Sequence, residues 1–232
     1  MRQITVACLD MAGTTVADDG SVLAAFQAAV AEVGLVPGAS GYDEAITVVQ
    51  DTMGQSKIEV FRRLLADEDH AQRANRLFEA SYAESVHAGL VTPLPGALET
   101  ITALRAAGIK VCLSTGFAPA TRDAVLDALG WAPLIDLALS PADAGRGRPW
   151  PDMPLTALLR LGGGAVSELA VAGDTAADVE SGLRAGAGLV AGVTTGSASR
   201  EVLVAAGAQH ILDSIAGLVQ LVGIAAGAHG LS

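Results

Sequence analysis

The chain has 232 residues, is 51% hydrophobic and carries a formal net charge of −11, with a pI near 4.6. So acidic a composition argues against nucleic acid as a partner class but leaves room for a small anionic substrate at a locally cationic site. Mean hydropathy is high, at +0.45, yet no stretch reaches the ~18–20 uninterrupted apolar residues of a membrane helix, and the opening segment lacks a signal-peptide pattern. The expected location is the cytoplasm, with no membrane partner.

In chain order, Ile4 to Leu9 is an apolar run that ends on Asp10 and a Gly13 turn. This reads as a buried strand delivering a carboxylate to its carboxyl end, where ligands bind in open α/β sheets. Residues 17–36 read as a turn and an amphipathic helix. Asp43 to Met53, Ser56 to Ala66 and His70 to Ala88 also have helical spacing, and no strand is expected within 17–88. Pro93 and Pro95 mark a return linker. Helix 97–107 then leads through Gly108 to strand 109–113, followed by helix 119–129, strand 137–139, a Gly/Arg/Pro loop at 145–150 and helix 153–161. Strand 169–172, helix 176–185, strand 189–193 and two short αβ units finish the chain. Alternation at this spacing implies a parallel sheet with right-handed crossovers. The expected fold is a doubly wound α/β core, residues 1–16 and 90–232, with an inserted all-helical cap at 17–89.

Cys8 and Cys112 both fall inside apolar runs, without metal-type spacing, and read as buried thiols rather than a disulfide. The 14 basic residues include only two lysines, Lys57 and Lys110. A chain that so favours arginine for surface charge draws attention to Lys57.

Four polar groups fall at successive strand ends. The first is Asp10 with Thr14, a nucleophile and a hydroxyl. Next come Ser114, Thr115 and Gly116, opening into the helix after Pro119; hydroxyls and backbone N–H groups at a helix start suit an anion. Arg148, stiffened by Pro149, offers a guanidinium for bidentate phosphoryl contacts. Asp174 and Asp178, four apart at a helix start, face one site, and Asp10 with Asp174 supplies hard oxygen ligands for Mg²⁺, supported by Asp178.

The ordered set Asp-x-x-Gly-Thr, Ser/Thr-Gly, basic residue, Gly-Asp-Thr-x-x-Asp resembles the haloacid dehalogenase superfamily over essentially the whole chain. Asp10 to Thr15, Arg148 and the loop Gly145 to Pro151 are similar to its phosphonatase-like hydrolases, and Met53 to Glu59 resembles the cap segment whose lysine forms a Schiff base with the substrate carbonyl. The resemblance implies Asp10 and Lys57 as catalytic residues, Thr14, Ser114, Thr115, Gly116 and Arg148 as phosphoryl-binding residues, and Mg²⁺ held by Asp10, Ala12 and Asp174. It further implies Mg²⁺-dependent cleavage of the C–P bond of a 2-oxoalkylphosphonate, and pairing of two copies through the cap. Ester hydrolases of this type usually carry a second Asp where this chain has Ala12. Phosphonatases carry a His three residues after the lysine, where this chain has Val60, and a Tyr where it has Phe117; His87 is the substitute considered for that His. Phe26, Met53, Gln55 and Val60 are candidate pocket residues. The alternative is a phosphatase of the same superfamily acting on a small phosphate monoester.

Overall fold

The computed structural model describes residues 3–17 and 19–224. Six parallel strands form one sheet in the order β5-β4-β1-β6-β7-β8. Strand β1 (Val6–Asp10) lies between β4 (Lys110–Ser114) and β6 (Leu169–Gly173). Strand β5 (Leu137–Leu139) flanks β4 on one side, and β7 (Leu189–Val193) and β8 (His210–Leu212) continue from β6 on the other. Asp10 pairs in register with Ser114, so both side chains emerge at the same edge.

Alternate residues of β1 serve two cores. Ala7 and Leu9 pack with one apolar cluster, Val6 and Cys8 with the other. Burial on both faces is why β1 reads as a continuous apolar run rather than an alternating one. Cys8 and Cys112 are free, buried and directly paired across β1 and β4.

The helices on the sheet are bounded by local chemistry. Helix α6 (Pro119–Leu129) starts on a proline, whose fixed φ and missing N–H suit the first turn, and stops at Gly130, which adopts a left-handed φ of 66°. Helix α9 (Ala176–Arg184) opens on a capping box, with the Thr175 side chain bonded to the Asp178 N–H and the Asp178 side chain to the Thr175 N–H.

Between β1 and β4 the chain forms α1 (Ser21–Ala31), α2 (Tyr42–Asp51), α3 (Lys57–Leu64) and α4 (Glu68–His87). Their apolar faces meet around Phe26, Phe61 and Phe78, whose ring centroids lie 4.6–6.2 Å apart. Phe117, from the loop after β4, joins this cluster through Phe78 and Tyr82.

Two features depart from the sequence reading. Val16–Ala17 is a short strand, β2, antiparallel to β3 (Thr92–Pro93). The proline read as linker therefore closes a two-stranded ribbon where the chain leaves and re-enters the sheet domain; two residues per strand are too few to leave a period. At the other end, α10 (Arg200–Ala205) and β8 form one further αβ unit, after which the described residues hold only a 3₁₀ turn and the four-residue helix Leu218–Leu221. The second expected unit thus has no strand through residue 224, and residues 225–232 lie outside the described part. No described helix is long and apolar enough to cross a membrane.

Candidate active site

At the carboxyl edge of the sheet, Arg148 is the hub. Its Nη1 lies 2.6 Å from Asp10 Oδ1 and its Nε 2.8 Å from Asp178 Oδ1. Its Nη2 donates to the Ser114 carbonyl at 2.9 Å and hydroxyl at 2.7 Å. All four residues are buried. A guanidinium meets these partners together because its donors fan out in a fixed plane.

Carboxylate oxygens of Asp10, Asp174 and Asp178 all lie within 4.8 Å of one another. Asp174 is held by Thr14 Oγ1 at 3.2 Å, and by the Ser197 N–H and hydroxyl at 2.8 and 3.2 Å. Asp178 Oδ2 accepts from the Thr175 N–H and hydroxyl. Burial pushes Asp10 well above the ordinary carboxylate range; Arg148 opposes this, while Asp178 and Asp174 add to it. Burial, with the Asp178 charge, lifts Asp174 to about 6. Three crowded, buried carboxylates matched by one guanidinium are short of positive charge, and their hard oxygens are the donor set that Mg²⁺ prefers.

Asp10, Ala12, Thr115, Gly116, Arg148 and Asp174 line a cavity of about 270 Å³, and Lys57 lines it from the helical insertion. Thr14, Ser114 and Asp178 do not line it. Thr14 fixes Asp174, while Ser114 and Asp178 fix Arg148 from behind. The Thr115 N–H is taken by the Leu139 carbonyl, so what Thr115 presents to the cavity is not a free amide at that position.

Lys57 is only 5% exposed although it is the first residue of α3. Its N–H donates to the Gly116 carbonyl at 3.2 Å. Its Nζ sits 5.3, 5.5 and 5.9 Å from the ring centroids of Phe117, Phe26 and Phe78. Of the other candidate pocket residues, Met53 lines the 270 Å³ cavity, whereas Gln55 lines a second one, of about 620 Å³, that shares Lys57, Gly116, Phe117 and Arg148 with the first. Phe26 and Val60 line neither: both are buried in the apolar core that the insertion's helices share. His87 is exposed at the end of α4 and lines neither cavity.

The loop after β7 was missed. Thr195, Gly196 and Ser197 line the cavity, and Thr195 Oγ1 donates to the Gly13 carbonyl at 2.7 Å. The signal was present, since Thr194-Thr195-Gly196-Ser197 follows an apolar strand as the other site segments do.

Residues 4–186 match the family model described as haloacid dehalogenase-like hydrolase. The chain belongs to this family of enzymes. Among curated proteins, this haloacid dehalogenase-like hydrolase is 28% identical to a phosphonoacetaldehyde hydrolase of Parabacteroides distasonis, over 94% of this chain and 95% of that one. It is 29% identical to the probable phosphatase IndB of Dickeya dadantii, over 90% of each. Among solved structures it is similar to a phosphonoacetaldehyde hydrolase-like protein from Oleispira antarctica, with a TM-score of 0.81 and 26% identity over 95% and 92% of the two chains.

Proposed function

We propose that this hydrolase cleaves the C–P bond of a small 2-oxoalkylphosphonate through an imine on Lys57 and an aspartyl-phosphate on Asp10. The observation that carries this reading is the position of Lys57, a buried lysine on the wall of the same cavity as Asp10 and Arg148. A cavity of about 270 Å³ suits a substrate of few atoms.

The C–P bond resists cleavage because its leaving group is a carbanion. Condensation of the Lys57 amine with the neighbouring carbonyl expels water and leaves an iminium. As an Asp10 oxygen attacks phosphorus, the C–P electron pair moves into the iminium and forms an enamine. A proton on a leaving oxygen is never needed, which makes Ala12 intelligible where ester hydrolases carry an acid. Water then hydrolyses the aspartyl-phosphate, and the protonated enamine is hydrolysed to release the carbonyl product. Arg148, held by Asp178 and Ser114, meets the charge on the transferring group. Mg²⁺ would be held by Asp10, Asp174 and the Ala12 carbonyl, with Thr14 and Ser197 fixing the Asp174 carboxylate and Asp178 acting through Arg148. When bound, it offsets repulsion between those carboxylates and the phosphoryl group.

The likeness to a phosphonoacetaldehyde hydrolase supports this reading, and the likeness to a probable phosphatase defines its rival. Borohydride trapping with phosphonoacetaldehyde or phosphonopyruvate, followed by peptide mass spectrometry and phosphate-release assays with and without Mg²⁺, separates them. The expected result is a reduced adduct on Lys57 and Mg²⁺-dependent phosphate release that Lys57→Arg abolishes. Absence of an adduct, together with hydrolysis of simple phosphate esters that survives Lys57→Arg, would make this protein a phosphatase.

A further inference from the structure

Imine chemistry moves protons at two points. The Lys57 ammonium must lose one before it attacks, and the carbinolamine oxygen must gain one before it leaves as water. Val60, three residues after Lys57, cannot serve, because it is an apolar side chain in the core of the insertion. Glu59 points outward and is paired with Arg62 at 2.6 Å. Asp10 and Asp174 belong to the phosphoryl end of the cavity, and Asp19 is exposed.

Glu79 remains. It lies on α4 next to Phe78, one of the three rings around Lys57 Nζ. It is held at the start of α6 next to Phe117, another of those rings: its Oε1 accepts the Ala118 N–H at 3.2 Å, and its Oε2 accepts the Thr121 hydroxyl in a very short contact. Glu79 and Lys57 line the same 620 Å³ cavity. Burial raises the Glu79 carboxyl above its usual range, the two hydrogen bonds oppose this, and the Lys57 charge acts on it in the same opposing sense. Two neighbours of Lys57, on separate elements, thus bracket one half-buried carboxyl.

We propose that Glu79 is the acid–base partner of Lys57, a role that rests on the imine reading. Glu79 takes a proton from the Nζ ammonium, and the lone pair so freed forms the bond to the carbonyl carbon. The second proton released from nitrogen goes to the carbonyl oxygen and gives the carbinolamine. Glu79 then returns its proton to that hydroxyl, the C–O bond breaks, water leaves and the nitrogen lone pair closes the iminium. Charge balances, and Glu79 ends as a carboxylate beside the cation it helped to make. Hydrolysis of the imine runs the same transfers in reverse.

The test is Glu79→Gln, which removes the ionisable group, keeps a carbonyl oxygen for the Ala118 N–H, and turns the Thr121 hydroxyl from donor to acceptor of the new NH2. Adduct formation with phosphonoacetaldehyde is followed by quenching with borohydride at timed intervals, alongside steady-state phosphate release. The expected result is a loss of about 10²-fold or more in the adduct rate and in kcat, the scale of a lost general acid–base, with KM and Tm near wild type. Formate added to Glu79→Ala should restore part of the adduct rate, which a purely structural cap on α6 would not allow. An adduct on Lys57 forming in Glu79→Gln at the wild-type rate would overturn this assignment and leave the imine reading intact. So would a loss that follows Tm and resists formate. No adduct in the wild type would overturn the imine reading, and this inference with it.

Discussion

The Arg148 guanidinium pairs with two carboxylates at once while holding the Ser114 hydroxyl, all out of water. Removing it strands Asp10 and Asp178 as buried charges, which typically costs about 3–5 kcal/mol. Arg148→Ala should therefore melt well below wild type in metal-free urea titrations. Arg148→Lys should recover part of that loss without matching every contact, because an ammonium lacks the planar fork. Wild-type stability in Arg148→Ala would mean that the cluster is not charged as the geometry indicates. Asp174 gives a second test. Its carboxyl is raised from 3.8 to about 6, first by burial and then by Asp178. A raised carboxyl favours the protonated folded state, so its contribution is fully present below about pH 4 and is lost as pH climbs through about 6. Asn resembles the protonated form. Asp174→Asn should thus gain on metal-free wild type in Tm across that window, and Mg²⁺ should close the gap by stabilising the ionised wild-type site. A gap that does not change with pH would contradict the shift.

At the scale of elements, the seam between insertion and sheet is built on close backbone approach. A Cβ on Gly116 would lie 2.2 Å from the Gln55 carbonyl oxygen. Gly54 has φ +83°, and a Cβ there would lie 2.3 Å from Thr175 Oγ1. These glycines let the segment carrying Lys57 sit directly on the strand ends. Gly116→Ala should prise that segment off, leaving each half folded while lowering kcat by tenfold or more, since misplacement by about 1 Å can cost on the order of 10²-fold. Kinetics and circular dichroism together check this; unchanged turnover would show that the contact is not needed for chemistry. The helices and strands that carry the seam were legible in the chain, because α1 to α4 show their period, β1 and β6 are apolar up to their last residue, and β4 carries the apolar stretch Val111-Cys112-Leu113. The β2–β3 ribbon was not, because its pairing joins residues more than 70 positions apart and rests on neither periodicity nor turn chemistry.

The whole molecule carries a net charge of −11 and is proposed to bind an anion. Long-range repulsion should slow encounter, and salt should relieve it. Between 0.01 and 0.1 M ionic strength the Debye length falls from about 30 to about 10 Å, so kcat/KM should rise over that interval. A fall instead would mean that the local field of Arg148 and Lys57 already dominates capture. At this scale the division between sequence and structure is physical. The sequence by itself determined the α/β architecture, the helical insertion and the acidic and basic residues at the strand ends, because periodicity and strand-end placement are local properties. Only the tertiary structure decided which of those residues face the cavity. It turned Thr14 and Ser114 into supports, buried Val60, left His87 outside, added the 195–197 loop, and set Glu79 among the neighbours of Lys57. Such assignments depend on how separate elements cross and pack, and no spacing along one element encodes that.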